Sequence, residues 1–117
     1  MRDGGAGRVR LARAGERAAA AFLERHGFRV IARGFLARRG ELDLICRRGD
    51  RLVVVEVKTR TSEAFGSPAE AVDARKRRAL VAAAAEYRVL ADWRGPIDFA
   101  VVAVRPGAEP ELIEDPF

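Results

Sequence analysis

The sequence predicts an α/β fold in which helices pack on a mixed sheet. Three features point to it. Two segments repeat apolar residues at helical spacing, one before and one after a group of strand-like runs. One of those runs, 51–59 (RLVVVEVKT), is apolar on both faces over most of its length, as in a strand covered from both sides. A last apolar run, Ile97–Val104, follows the second helical segment, so strand, helix and strand should form a parallel crossover unit.

The elements follow in order. Residues 1–7 (MRDGGAG) are Gly-rich and expected to be mobile, which leaves 8–117 as a single domain. Leu11, Ala14, Ala18 and Phe22 recur at helical spacing and predict a helix over about 8–26, with Gly27 as its stop. Phe28–Ile31 reads as a strand, 40–47 (GELDLICR) as a second and 51–59 as a third. Gly49-Asp50 is a two-residue hairpin signal between the last two. Residues 60–67 read as a loop. Ser67-Pro68-Ala69-Glu70 is a capping box with Pro at the first helical position, and it predicts the start of the second helix. Val72, Leu80, Ala83, Tyr87 and Leu90 give that helix an apolar stripe to about residue 90. The acidic tail 105–117 carries three prolines and has room for a short strand at Leu112-Ile113.

Composition narrows the function. Of the 117 residues, 49% are hydrophobic and 33% charged, which suits a packed core rather than a disordered chain. No apolar run approaches the roughly 18–20 residues of a membrane span. The N-terminal apolar run, Ala18–Leu23, is too short for a signal peptide, and the helical pattern argues against a mitochondrial-type presequence. A lone cysteine, Cys46, excludes a disulfide scaffold and fits a reducing, cytoplasmic setting. Cys46 and the lone His26 are too few for a zinc site. They read as a small buried hydrophobe and a helix C-terminal residue. The net charge of +5 suggests a polyanionic partner such as nucleic acid, set against a merely solubilising surface.

The third strand carries the chemistry. Glu56 and Lys58 interrupt an otherwise apolar strand and share a face with Val54. A buried carboxylate costs several kcal/mol unless it is paired or bound to a metal. Counting outward from Arg48 and Arg51 across the hairpin, Ile45 falls opposite Val54, Asp43 opposite Glu56 and Glu41 opposite Lys58. Opposed Cβ atoms lie about 4.5–5.5 Å apart. Two acids so placed repel each other, and a hard divalent cation relieves the repulsion. A metal site at Asp43 and Glu56 is therefore expected. The alternative is a Glu41–Lys58 ion pair beside an incidental Asp43, which leaves Glu56 unexplained. Of the 22 basic residues only Lys58 and Lys76 are lysines, so a Lys on this strand stands out. Lysine is a compact point charge able to orient an attacking water.

Asp43 followed by Glu56-Val57-Lys58 resembles the D…ExK core of the PD-(D/E)XK nuclease superfamily, which includes restriction endonucleases and Holliday junction resolvases. More closely, the chain resembles the YraN family of bacterial proteins. The matching segments include Gly15-Glu16, Gly27-Phe28, GELDLI at 40–45, VEVKTR at 55–60, Phe65-Gly66, Ala71-Val72, Lys76, Asp98 and Phe117, and they cover about 8–117. The resemblance implies a restriction endonuclease-like αβββαβ core. It implies Mg²⁺, with Mn²⁺ as a substitute, bound by Asp43, Glu56 and the Val57 carbonyl. Lys58 would position water, and Glu16 would add a carboxylate from the first helix. Gly34 stands where that family usually has Asn, and Pro96 where an Arg is common, which bears on substrate contacts rather than on the metal core.

Arg38, Arg39, Arg60 and Lys76, with Arg47-Arg48 and the rest of the 75–78 run, are the expected phosphate contacts. The expected function is a Mg²⁺-dependent endonuclease acting on DNA phosphodiesters, directed by structure and with a homodimer allowed. The alternatives are a non-catalytic nucleic-acid-binding or accessory module that keeps the fold, and a structural protein whose basic second helix meets an acidic partner.

Overall fold

The computed structural model describes residues 3–60 and 72–117, with side chains described from residue 10 onward. The elements are α1 (Asp3–Arg25), β1 (Arg29–Ala37), β2 (Gly40–Arg48), β3 (Arg51–Thr59), α2 (Ala74–Ala91), β4 (Ile97–Val104) and β5 (Glu111–Glu114). The five strands form one mixed sheet in the order β1-β2-β3-β4-β5. β3 and β4 are parallel, as the crossover requires, and the other neighbours are antiparallel. This is an α/β fold compatible with a restriction endonuclease-like core. No helix among the described residues is long and apolar enough to cross a membrane.

β3 is the central strand, and its covering explains its sequence. Val53 and Val55 join Leu44, Cys46, Ala100 and Val102 in a core under α1. Leu52 and Val54 join Ile45, Leu80, Ala83 and Val101 in a second core under α2. Residues 52–55 are thus buried from both sides. Cys46 is fully buried in the α1-side core, as expected of a small hydrophobe.

α1 presents a different face from the predicted one, whereas α2 buries the predicted Leu80 and Ala83, with Tyr87 packed beside them. On α1 the buried positions are Gly15, Ala19, Ala20, Phe22 and Leu23, while Leu11, Ala14 and Ala18 are exposed. The alanine run 18–21 is apolar all round, so spacing alone could not orient it. On α2 the predicted start at Ser67–Glu70 lies outside the described residues. The helix starts at Ala74, behind Asp73, whose backbone is extended and whose Oδ1 accepts the Lys76 N–H at 2.8 Å. Val72 is buried but precedes the helix, and Leu90 is exposed on its last turn.

β1 is longer than the predicted four residues. Its pairing with β2 shifts between Val30 and Ala32, and Gly34 adopts φ 66°. That is a left-handed conformation that glycine, and to a lesser degree asparagine, tolerates. The irregularity crosses into β2. Ala32 and Phe35, three residues apart, both face the α2-side core, and so do Leu42 and Ile45. Strict alternation therefore fails in both strands, at Gly34 and at Asp43.

The hairpin has the predicted register, but only part of the predicted length. Gly49-Asp50 closes it, and pairs run from Arg48–Arg51 to Leu44–Val55, with Ile45 opposite Val54. There the ladder stops. The expected rungs Asp43–Glu56 and Glu41–Lys58 do not form. Asp43 Oδ2 instead accepts the Val57 N–H at 2.8 Å, so a side chain stands where the ladder would place a carbonyl. β2 leaves β3 at this point, and the gap between them is where the candidate site residues collect.

Candidate metal centre

A cavity of about 480 Å³ opens where β2 and β3 part. Glu16, Glu41, Asp43, Glu56, Lys58 and Arg60 line it, with Val57 and Thr59. Each wall has a local cause. α1 brings Glu16 close because residue 15 is glycine: a Cβ there would run into the Thr59 hydroxyl of β3. The break in alternation turns Asp43 into the gap, and regular alternation along β3 puts Glu56 and Lys58 on the α2 side.

Carboxylate oxygens of Glu16, Glu41 and Asp43 all lie within 4.8 Å of one another. Crowding and burial act on them together. The Asp43 carboxyl is pushed up to about 7, first by burial and then by the charge of Glu56, against the opposing effect of the Val57 N–H. Glu16 is raised as well, by burial and then by Glu41.

Glu56 stands slightly apart. It is 4% exposed and is the buried charged residue among those described. Its Oε2 lies 3.4 Å from Lys58 Nζ and 3.2 Å from Lys76 Nζ. Both lysines of the chain thus meet at one carboxylate oxygen. Its Oε1 is buried and has no hydrogen-bond partner among the described residues. A buried acceptor without a donor is costly, and here it points to a group that binding would supply.

The predicted residues are distributed as follows. Asp43, Glu56, Lys58, Glu16 and Val57 all border the one cavity, and so does Arg60. Arg60 donates its backbone N–H to Val104, and its Nε is buried without a partner among the described residues. Arg38 lies elsewhere: its backbone N–H meets the Glu86 carboxylate on α2, at 3.1 Å to Oε2. Arg39 lines a separate concavity with Arg75 and Arg78. Lys76, expected as a phosphate contact, lies with its Nζ 3.2 Å from Glu56 Oε2. Sequence reasoning gave Glu41 only as a partner of Lys58, although it belongs to the carboxylate cluster. The signal for Lys76 was available, because it is the second lysine of a chain that otherwise uses arginine.

The donor set fits a hard divalent cation. All the candidate ligands are oxygens, three carboxylates converge, and a fourth has an unpartnered oxygen. Among the described residues, sulfur and imidazole are absent from the cavity lining, which suits Mg²⁺ or Mn²⁺.

A model of the uncharacterised protein family UPF0102 matches residues 15–104. The chain belongs to this family. The UPF0102 match begins at the glycine that seats α1 and takes in Glu16, Glu41, Asp43, Glu56, Lys58 and Lys76. Similar chains include a UPF0102 protein of Symbiobacterium thermophilum, 47% identical over 88% of this chain and 88% of its own length. A UPF0102 protein of Anaeromyxobacter dehalogenans is 47% identical over 92% of this chain and 82% of its own. One of Ectopseudomonas mendocina is 48% identical over 80% and 81%.

Proposed function

We propose that this UPF0102 protein is a divalent-metal-dependent nuclease that hydrolyses DNA phosphodiesters, directed by DNA structure rather than by base sequence. The observation that carries the reading is the meeting of Glu16, Glu41 and Asp43 with Glu56 and Lys58 in one cavity at the parted strand ends. When bound, Mg²⁺ or Mn²⁺ would neutralise phosphoryl charge and acidify a water. Asp43, Glu41 and Glu16 would hold the ion from one side, and Glu56, whose Oε1 has no hydrogen-bond partner among the described residues, lines the same cavity. Lys58 presents its ammonium there, where it orients the attacking water and stabilises charge developing on the phosphoryl oxygens. Lys76 shares the charge of Glu56 and keeps that side chain in place.

A second reading has one observation in its favour. Lys58 and Lys76 already balance Glu56 without any ion, so the fold does not need a metal to hold this residue. A binding module that has given up turnover could keep the same pocket.

Cleavage of a four-way junction and of a linear duplex, with Mg²⁺ or Mn²⁺ and with a chelator, separates the two. The nuclease reading expects divalent-dependent cleavage that prefers the junction. Asp43→Ala, Glu56→Ala and Lys58→Ala should each lose about 10²-fold or more. Cleavage that survives all three substitutions would sink it, and salt-sensitive binding without turnover would favour the module.

A further inference from the structure

Beside the acidic cavity lies a second concavity, of about 430 Å³, lined by Arg39, Arg75, Arg78 and Ala79. Arg75, Arg78 and Ala79 share one stripe of α2, being three and four residues apart, and Arg39 comes from the turn between β1 and β2. The small Ala79 leaves the floor open. The three arginines are exposed and make no salt bridge among the described residues. Arg25, Arg48, Arg51 and Arg94, by contrast, are each paired with an acid. The Asp73 carboxylate already caps the N-terminal end of α2, so the positive field of the hollow comes from the three guanidinium groups. Three like charges around one hollow repel unless an anion lies among them.

The position of the hollow matters as much as its charge. A small cleft lined by Arg39, Glu41, Lys76 and Ala79 adjoins it. This cleft shares Arg39 and Ala79 with the basic hollow and Glu41 with the acidic cavity. Arginine trios and carboxylate trios therefore stand next to each other, joined through Lys76 and Glu41.

We propose that Arg39, Arg75 and Arg78 form a cradle for the sugar–phosphate backbone of DNA, adjacent to the phosphodiester presented to the acidic cavity. The identity of the polyanion as DNA rests on the proposed nuclease reading. The cradle itself rests on the three guanidinium groups, whose planar forks suit phosphate oxygens. It fixes how the substrate lies: the strand runs over the N-terminal end of α2 and the β1–β2 turn.

The test is fluorescence anisotropy of a labelled four-way junction and a labelled linear duplex, in chelator, so that binding is read without turnover. The triple variant R39A/R75A/R78A should bind about 10²-fold more weakly at 0.1 M salt, with a log–log salt slope shallower by about 2.5. The triple lysine variant, which keeps the charge, should retain most of the slope and guards against misfolding. Removing equal charge elsewhere, in R25A/R29A/R94A, should change affinity by no more than about threefold, because distant surface charges are screened. Asp43→Asn should lose cleavage and still bind. If the arginine-to-alanine triple matches the wild type in affinity and slope, the cradle is overturned while the nuclease reading stands. If it loses binding as expected in a protein that never cleaves, the cradle stands and the nuclease reading falls. A wild type that holds neither DNA but binds polyglutamate overturns the proposal in favour of an acidic protein partner.

Discussion

Asp43 is under two opposing influences. Its bond to the Val57 N–H favours the carboxylate, whereas burial and the charge of Glu56 favour the acid, and the second effect prevails. The sign for stability follows. Folded Asp43 keeps its proton up to about 7, while the unfolded chain releases it near 3.8. Its contribution to stability is therefore full below about 4 and is lost as the pH rises to about 7. Asparagine is neutral at every pH and can still accept the Val57 N–H. Asp43→Asn should thus be more stable than the wild type at pH 8 without divalent ions, by about 1–3 kcal/mol after allowing for partial exposure. The gap should shrink towards pH 4. Urea unfolding of both proteins at pH 8 and pH 5 checks this, and an equal gap at the two values would contradict it. On the proposed nuclease reading the same substitution should abolish cleavage, as expected where a site is kept at the expense of stability.

At the scale of elements, the contact of α1 with β3 depends on Gly15. An added Cβ meets the Thr59 side chain, which sits directly beneath it. Gly15→Ala should push the helix outward, cost about 1–3 kcal/mol and carry Glu16 away from the carboxylate cluster. Pairing it with Thr59→Ala should recover part of the loss, with a coupling of about 0.5–3 kcal/mol. Simple additivity in thermal melts would mean that the two residues do not touch. Elements were legible where one local rule decided them. Alternation and Gly49-Asp50 gave the hairpin, and the register held from Arg48–Arg51 to Leu44–Val55. The end of that ladder was hidden, because its cause lies in another strand: Gly34 of β1 and Asp43 of β2 break the alternation together. The α1 face was hidden by consecutive alanines. At α2 Asp73 is the cap, and the predicted start at Ser67–Glu70 lies outside the described residues.

The whole molecule divides its charge along the sheet. Acids gather where β2 leaves β3, arginines gather at the start of α2, and a bidentate Arg51–Asp98 pair stands at the start of β3, away from the acid cluster. The D…ExK spacing marked Asp43, Glu56 and Lys58 as neighbours, but not Glu41 as a member of the carboxylate cluster, nor how the charges divide. Glu56 went to the lysines and Glu41 to the acids because the last rungs of the ladder are missing. Lys76 links the two charged regions, since it stands between Arg75 and Arg78 in sequence and touches Glu56 across the core edge. A cation arriving at Glu56 competes with that lysine and leaves its ammonium available to a phosphate. Metal and DNA should therefore bind with positive cooperativity. Junction DNA should tighten Mn²⁺ binding by the same factor, about fivefold or more, by which Mn²⁺ tightens the junction. In Lys76→Met, calorimetric titrations run in either order should show this coupling lost.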